Sequence, residues 1–306
     1  MGFAGFYDDY EKSIKNDVVE EKYDLYFSRP LGYILAKFFS KLGFTPTNIS
    51  ILGMLVGVYG GIMLYWQDSL LYTSIGGICI TFAGIMDSAD GQAARIYDTK
   101  SEMGKYLDMV NDTLVFISCY AAGIHFFIDD YTFVGVWIIG LAAGFAHGLK
   151  ANIYEYSKGE FLHFALTDST HRFESVQHIR KTFDRTSLLK KMLYPLVIDY
   201  VKTQNKFKPR SDETTAIFEQ ARAHDSECFK EIYIQYNRKV LTAWAWVCGS
   251  NITRNAIILS SLFGRFDIFA FANIGSLALF KLVGQYQKKI DRQVLEEIKD
   301  WNLPSQ

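Results

Sequence analysis

Long apolar runs separated by polar segments are the dominant pattern in this chain. Ile49–Trp66 and Leu70–Met86 contain no charged residue, and Tyr131–Leu149 contains His147 as its one ionisable group of note. A helix needs about 20 mostly apolar residues to cross the hydrocarbon core of a bilayer. These three runs therefore predict membrane-spanning helices.

Three weaker runs complete the predicted bundle. Thr113–Ile128 is long enough only if its helix begins near Asp108, Leu241–Gly264 contains Arg254, and Ile268–Phe280 is short. With these runs included, we expect an all-α integral membrane protein with six transmembrane helices.

The polar segments predict the orientation of the bundle, because Lys and Arg near the ends of spans collect on the cytoplasmic side. Basic residues occur before the first span, between the second and third, between the fourth and fifth, and after the sixth, whereas the alternate linkers carry almost none. Both termini are therefore expected in the cytoplasm. The predicted organisation is an N-terminal cytoplasmic segment (1–47), helices 1–4 (48–149), a helical cytoplasmic insertion (150–239), helices 5 and 6 (240–284) and a cytoplasmic tail (285–306).

Two features flank or lie within the first span. Pro30–Gly43 alternates apolar and basic residues at helical spacing, which predicts an interfacial amphipathic helix on the membrane surface. Gly53, Gly57 and Gly61 recur every four residues, and such a stripe lets another helix approach closely. The stripe has two interpretations, packing within the chain or a dimer seam.

Composition and charge narrow the function classes. The chain has 306 residues, of which 49% are hydrophobic, and this excludes an intrinsically disordered protein. Its 32 Lys and Arg residues nearly balance its 33 Asp and Glu residues. Without a basic excess there is no electrostatic signature of a nucleic-acid partner, so we expect none. His163, His171 and His178 lack metal-ligand spacing and are interpreted as surface residues.

The candidate chemistry is a set of four aspartates at two adjacent helix ends. Asp87 and Asp90 share one helical face at the end of the second span, and Asp108 and Asp112 share one face at the start of the third. Four carboxylates in one cleft repel one another unless cations neutralise them. Oxygen ligands of this kind favour Mg²⁺, Mn²⁺ or Ca²⁺ over zinc, and a pair of ions about 3.5–4 Å apart would suit a diphosphate substrate.

Small residues and one cation accompany these aspartates. Gly91 and Ala94 lie on the face of Asp87 and Asp90, Gly104 lies on the face of Asp108, and Arg95 adds a fixed positive charge for a phosphate group. We interpret the small residues as positions where a larger side chain would block a nucleotide or the facing helix.

The stretch from Asp87 to Asp112 matches, without a departure, the signature D-x2-D-G-x2-A-R-x8-G-x3-D-x3-D, and so resembles the CDP-alcohol phosphotransferase family. The resemblance covers residues 30–150 well, including Thr45-Pro46-Thr47-Asn48, and 240–284 loosely. It implies a membrane enzyme of phospholipid biosynthesis, usually a homodimer, that transfers a phosphate-linked group from a CDP-linked donor to an alcohol and releases CMP.

The resemblance also implies roles for the motif residues. Asp87, Asp90 and Asp108 would hold two metal ions, Mg²⁺ or Mn²⁺, and Asp112 would be both a ligand and the general base for the acceptor hydroxyl. The residues implied at the CDP site are Gly91, Ala94, Arg95, Gly104 and Asn48.

The motif leaves the two substrates open. One branch of the family uses a CDP-diacylglycerol donor with a small polar alcohol such as inositol or a polyol phosphate, and the other uses CDP-choline or CDP-ethanolamine with diacylglycerol. Arg254, Lys150 and His147 are candidates for an acceptor pocket, since a phosphorylated acceptor needs cationic groups near the aspartates. These candidates favour the first branch. The long insertion at 150–239 departs from the brief connection usual in the family.

Two other function classes share part of this pattern. A membrane prenyltransferase also uses aspartates and Mg²⁺ with a diphosphate, but the positions of Gly91, Ala94, Arg95 and Gly104 argue against it. A cation channel would continue its polar residues through the bilayer. The second and third runs instead become uniformly apolar.

Overall fold

The computed structural model describes residues 10–14, 20–99, 102–166, 176–183 and 188–301, and every long element in these ranges is a helix. The chain divides into two compact units, Met1–His147 with Asn251–Ile274, and Gly148–Ser250 with Gly275–Gln306. An all-helical fold was predicted, and the described residues confirm it.

Eleven α-helices are described. Their bounds are α1 Arg29–Lys41, α2 Pro46–Met63, α3 Leu70–Ile96, α4 Glu102–His125, α5 Phe133–Ala165, α6 Val176–Thr182, α7 Leu188–Phe207, α8 Asp212–His224, α9 Ser226–Cys248, α10 Ser250–Leu262 and α11 Phe266–Glu297. A π-helix, Asp24–Ser28, precedes α1, and a 3₁₀ turn, Lys299–Trp301, follows α11.

Five helices in the described part of the chain are long and apolar enough to cross a bilayer. They are α2, α3, the Tyr106–His125 part of α4, α5 and α11. The chain therefore has the character of a membrane protein. Each of these helices contains or overlaps one of the predicted runs, and α5 and α11 extend well beyond them.

The remaining predicted span, Leu241–Gly264, is not one helix. Gly249 has an extended backbone (φ −63°, ψ 136°) that ends α9, and α10 begins at the next residue. Glycine commonly terminates helices because it has no side chain to restrict its backbone. The 13 residues of α10 reach only about 20 Å, less than the hydrocarbon core of a bilayer. The count of six spans therefore remains a prediction.

The glycine stripe of α2 packs within the chain. A Cβ atom added to Gly57 would lie 2.6 Å from a Val115 methyl group of α4, and one added to Gly53 would lie 2.8 Å from the Cβ of Met86 in α3. Only glycine permits such approaches. Of the two interpretations of the stripe, the structure shows the intramolecular one.

The helix predicted at Pro30–Gly43 is present as α1. It buries Tyr33 and Ala36 and leaves a row of large apolar side chains exposed, including Leu31, Ile34 and Phe38. This pattern is compatible with a helix at a membrane surface. Its interfacial location stays a prediction.

The second unit has an aromatic core around one buried arginine. The Arg210 side chain is fully buried and pairs with Glu160 Oε2 at 2.9 Å and Asp291 Oδ1 at 2.8 Å. Its guanidinium also lies 4.7 Å from the ring centroid of Phe218. Both carboxylates and the ring compensate the buried charge.

One histidine prediction is wrong. His163 is buried, with Nε2 2.6 Å from Glu219 Oε1 and 3.0 Å from Arg222 Nη1. An imidazole can be buried because these partners satisfy its ring nitrogen. His178 is exposed, as predicted, and His171 lies outside the described residues.

Candidate active site

The four predicted aspartates line one cleft in the first unit. Asp87 and Asp90 project from α3, which continues past them to Ile96, and Asp108 and Asp112 project from α4. The predicted meeting of the two helix faces is therefore present in the structure.

Three of these carboxylates can converge on a cation. Oxygens of Asp87, Asp90 and Asp108 all lie within 4.8 Å of one another. Asp90 is buried, and its Oδ2 has no hydrogen-bond partner among the described residues. Such an arrangement fits a divalent ion, because carboxylate oxygens are the ligands that Mg²⁺ and Mn²⁺ prefer and the ion offsets their mutual repulsion.

A serine and an asparagine support the cluster, and sequence reasoning missed both. Asn111 Nδ2 donates to Ser50 Oγ at 2.7 Å, and the Ser50 hydroxyl also hydrogen-bonds Asp90. Because Ser50 Oγ accepts from Asn111, its single proton is left for the carboxylate. The available signal in the sequence was that Ser50 is a polar residue at the start of an apolar run.

Arg254 of α10 lines the same cleft as the aspartates. It fits there because residue 84 is glycine. A Cβ atom at Gly84 would lie 2.7 Å from Arg254 Cζ, a separation that real side chains do not adopt. The guanidinium is also held by Asn251, whose Oδ1 accepts from Arg254 Nη1 at 3.3 Å. The structure thus brings one predicted acceptor residue to the aspartates.

Arg95 lies near the cleft, where Ser13 of the N-terminal segment contacts it. Its Nε donates to the carbonyl oxygen of Ser13, while its Nη2 is buried without a hydrogen-bond partner in the described part of the chain. Gln92, one turn earlier in α3, donates to Ser13 Oγ at 2.9 Å. The N-terminal segment therefore contacts the helix that carries the motif.

The other predicted CDP residues are accessible. Gly91 and Ala94 are half-buried, and among the described residues the nearest atoms to a Cβ at Gly91 would be those of the Arg95 guanidinium, at an ordinary contact distance of 3.5 Å. Gly104 is exposed. Asn48 is exposed as well, and its backbone N–H donates to Thr45 Oγ1 at 3.2 Å, the N-terminal cap of α2.

The two remaining acceptor candidates have packing partners of their own. His147 is buried against aromatic rings, with its ring centroid 4.1 Å from that of Phe116, and it is not among the described residues that line the cleft. Lys150 belongs to the second unit, where its Nζ donates to Ser276 Oγ at 2.6 Å.

Comparison with known proteins finds similarity over part of the chain. Residues 44–158 match the family model described as CDP-alcohol phosphatidyltransferase, the range that contains all four aspartates. Over 72 residues the chain is 31% identical to the bifunctional IPC transferase and DIPP synthase of Aquifex aeolicus, and over 80 residues it is 30% identical to the archaetidylinositol phosphate synthase of Pyrococcus horikoshii. These alignments cover 24% and 26% of this chain, and 16% and 40% of the respective relatives.

Proposed function

We propose that this chain transfers a phosphatidyl group. The match of residues 44–158 to the CDP-alcohol phosphatidyltransferase family model, whose members are transferases of substituted phosphate groups, supports this proposal. The proposed donor is CDP-diacylglycerol, the acceptor is the hydroxyl of a small polar alcohol such as inositol or a polyol phosphate, and the released product is CMP. The observation that carries the proposal is the cleft in which Asp87, Asp90, Asp108 and Asp112 face Arg254.

In this proposal, three aspartates form the metal centre. Asp87, Asp90 and Asp108 would hold Mg²⁺ or Mn²⁺, and Asp112 would complete a site for two ions. The ions supply charge neutralisation of the diphosphate. Ser50 keeps the Asp90 carboxylate in place through its hydroxyl proton.

Asp112 is the proposed general base. It accepts the proton of the acceptor hydroxyl, and the acceptor oxygen forms a bond to the phosphorus that carries diacylglycerol. The bond between that phosphorus and the oxygen bridging it to CMP breaks, so the electron pair leaves with CMP and the proton stays on Asp112. The product is the phosphatidyl ester of the acceptor alcohol.

Arg95 is the proposed contact for the nucleotide phosphates. Its buried Nη2 has no other hydrogen-bond partner in the described ranges, which supports a role as a donor to an anionic ligand. Gly91 and Ala94 would leave room for the nucleotide on the same face, with Gly104 and Asn48 at its edge. A Cβ at Gly91 would be 3.5 Å from its nearest described neighbour, so packing against the described residues does not require the glycine, and this supports the role.

Arg254 is the proposed contact for the acceptor. A guanidinium suits a phosphate or a polyol because it offers several donors in a fixed plane. One relative is named for the synthesis of archaetidylinositol phosphate, which supports an acceptor of the inositol phosphate class. CDP-choline or CDP-ethanolamine transfer to diacylglycerol would leave this cation without an anionic partner, and it is therefore the second choice.

The proposed setting is a multi-pass membrane protein with six spans, both termini and the active site in the cytoplasm, and α1 at the membrane surface. The distribution of basic residues supports the orientation, and the exposed apolar row of α1 supports its interfacial position. A homodimer is proposed from the family resemblance.

CMP release by the purified full chain tests the proposal. CDP-diacylglycerol would be offered with inositol, inositol phosphate, glycerol phosphate or serine, and CDP-choline or CDP-ethanolamine with diacylglycerol, each with Mg²⁺ or Mn²⁺. We expect release with CDP-diacylglycerol and a polyol or its phosphate. Release only with CDP-choline or CDP-ethanolamine would contradict the proposed donor and favour the other branch.

A further inference from the structure

Asn251 connects the N-terminal segment to the cleft. It is the second residue of α10, directly after the break at Gly249, and it is only 5% exposed. Its side-chain amide lies between the acidic residues Glu21 and Asp24 and the guanidinium of Arg254. A buried amide in such a place has its hydrogen bonds determined by its neighbours.

The neighbours fix the orientation of this amide. Asn251 Nδ2 donates to Glu21 Oε2 at 3.1 Å, and Asp24 hydrogen-bonds the same side chain. Ionised carboxylates only accept hydrogen bonds, so the amide must turn its NH₂ group toward them. Its Oδ1 is then directed at Arg254, from which it accepts at 3.3 Å.

The N-terminal segment is itself anchored on both sides of this contact. Glu20 Oε1 pairs with Arg29 Nη2 at 2.8 Å, at the start of α1. Tyr23 hydrogen-bonds Asn255, which lies one residue beyond Arg254 in α10. The segment that carries Glu21 and Asp24 is therefore anchored by contacts that do not involve Asn251.

The amide also keeps the charge of Arg254 available. Among the described residues, Arg254 forms no ion pair with a carboxylate, although Glu21 and Asp24 lie on the other side of Asn251. A direct ion pair would offset the charge that an anionic acceptor needs. A neutral amide holds the guanidinium without offsetting it.

We propose that Asn251 is a positioning residue that orients Arg254 toward the acceptor alcohol, and that Glu21 and Asp24 of the N-terminal segment set the orientation of its amide. This inference rests on the proposed function, because it assigns the acceptor to Arg254. It makes the segment Glu20–Ser28 part of the acceptor side of the cleft.

The test measures KM for the acceptor by CMP release from the full chain, with CDP-diacylglycerol, Mg²⁺ and inositol phosphate. Asn251→Ala is expected to raise KM for the acceptor about tenfold, the usual effect of a lost hydrogen bond to a charged group, with KM for the donor unchanged. Ser260→Ala is the control, since it removes a polar side chain of the same helix whose hydroxyl donates to the carbonyl oxygen of Ile257. It should leave both KM values within about twofold of the wild type.

A double-mutant cycle distinguishes the positioning of Arg254 by Asn251 from a general loosening of the site. In an Arg254→Ala background, Asn251→Ala should change KM for the acceptor by less than about twofold, because Asn251 acts through a side chain that is no longer present. The double variant Glu21→Gln with Asp24→Asn keeps the shapes of both side chains and should raise KM for the acceptor about threefold, since amides no longer impose one orientation on Asn251.

Two results would overturn the inference. One is an equal effect of Asn251→Ala with and without Arg254, and the other is an equal effect of the Ser260→Ala control. If the wild type uses only an unphosphorylated alcohol, the proposed phosphate acceptor is wrong, and the same variants measured with that alcohol still decide whether Asn251 acts through Arg254. A folded wild type that turns over no alcohol would contradict the proposed function and the inference together.

Discussion

Replacing Asp108 by asparagine is expected to stabilise the metal-free protein and to abolish its response to Mg²⁺. Asp108 is one of three aspartates whose carboxylate oxygens lie within 4.8 Å of one another. Without a cation these groups repel, and an uncharged amide of the same size removes one of them. The substitution therefore favours folding where the cluster is empty and harms it where metal would bind.

The distance between the carboxylate oxygens sets the size of the expected stabilisation. Two ionised carboxylates 4.8 Å apart repel by about 3.5 kcal/mol at an effective dielectric constant of about 20, and Asp108 has two such neighbours. Protonation and solvation relieve part of this repulsion, so we expect a net stabilisation of about 1–3 kcal/mol. Mg²⁺ at about 100 times its Kd should stabilise the wild type by about 2.7 kcal/mol, and the variant by much less.

The assay is unfolding of the detergent-solubilised chain, followed by tryptophan fluorescence in EDTA and in Mg²⁺ at one pH. Asp98→Asn is the matched control, because it removes an exposed carboxylate where φ is +50°, a conformation that asparagine tolerates. The control should follow the wild type in both buffers. A less stable Asp108→Asn protein in EDTA, or an equal gain from Mg²⁺ in variant and wild type, would refute the electrostatic reasoning.

Three further predictions test other parts of the account. Asp112→Asn should reduce CMP release about 10²–10⁴-fold while calorimetry still detects the CDP donor, and retained turnover would contradict its role as base. Gly84→Ala should displace the Arg254 guanidinium and raise KM for the acceptor about tenfold. Gly148→Ala should leave KM unchanged, because a Cβ there would meet no described atom within 4 Å, and equal KM values for the two variants would argue against this packing. Arg210→Ala leaves two buried carboxylates without their cation. It should therefore lower the free energy of unfolding by about 3–5 kcal/mol, measured by denaturant titration. A loss under about 1 kcal/mol would contradict the structural role of Arg210.

The sequence was sufficient for the parts of the fold and site that depend on local spacing. Uncharged runs of sufficient length predicted α2, α3 and α5, since length and hydropathy alone decide whether a helix can cross a bilayer. The spacing of Asp87 and Asp90 on one face, and of Asp108 and Asp112 on another, predicted a common cleft because helical periodicity fixes which side chains share a face.

Other features depend on contacts between distant parts of the chain. The partners that bury His163 come from α8, more than 50 residues away, and no local pattern near His163 indicates them. The same holds for Arg210, whose two carboxylates come from α5 and α11. Composition placed both residues in a polar insertion, where a solvent-exposed position is the usual outcome.

The N-terminal segment and the break at Gly249 were missed for related reasons. The prediction joined the apolar residues before Gly249 and the polar residues after it, such as Asn251 and Arg254, into one span. The extended backbone of Gly249 divides this stretch into two helices. The contacts of Glu21 and Ser13 reach α10 and α3, respectively, and acidic or polar residues near a terminus are ordinarily solvated. Sequence reasoning therefore located the aspartates and Arg254 but not the groups that hold them.

CMP release from CDP-diacylglycerol is the most direct test of the central claim. The full chain, reconstituted with Mg²⁺ and offered inositol phosphate, should release CMP and form one equivalent of phosphatidyl ester, and EDTA or Asp112→Asn should stop both. A folded, Mg²⁺-binding protein that releases no CMP with any combination of CDP donor and alcohol would contradict the proposed transferase activity.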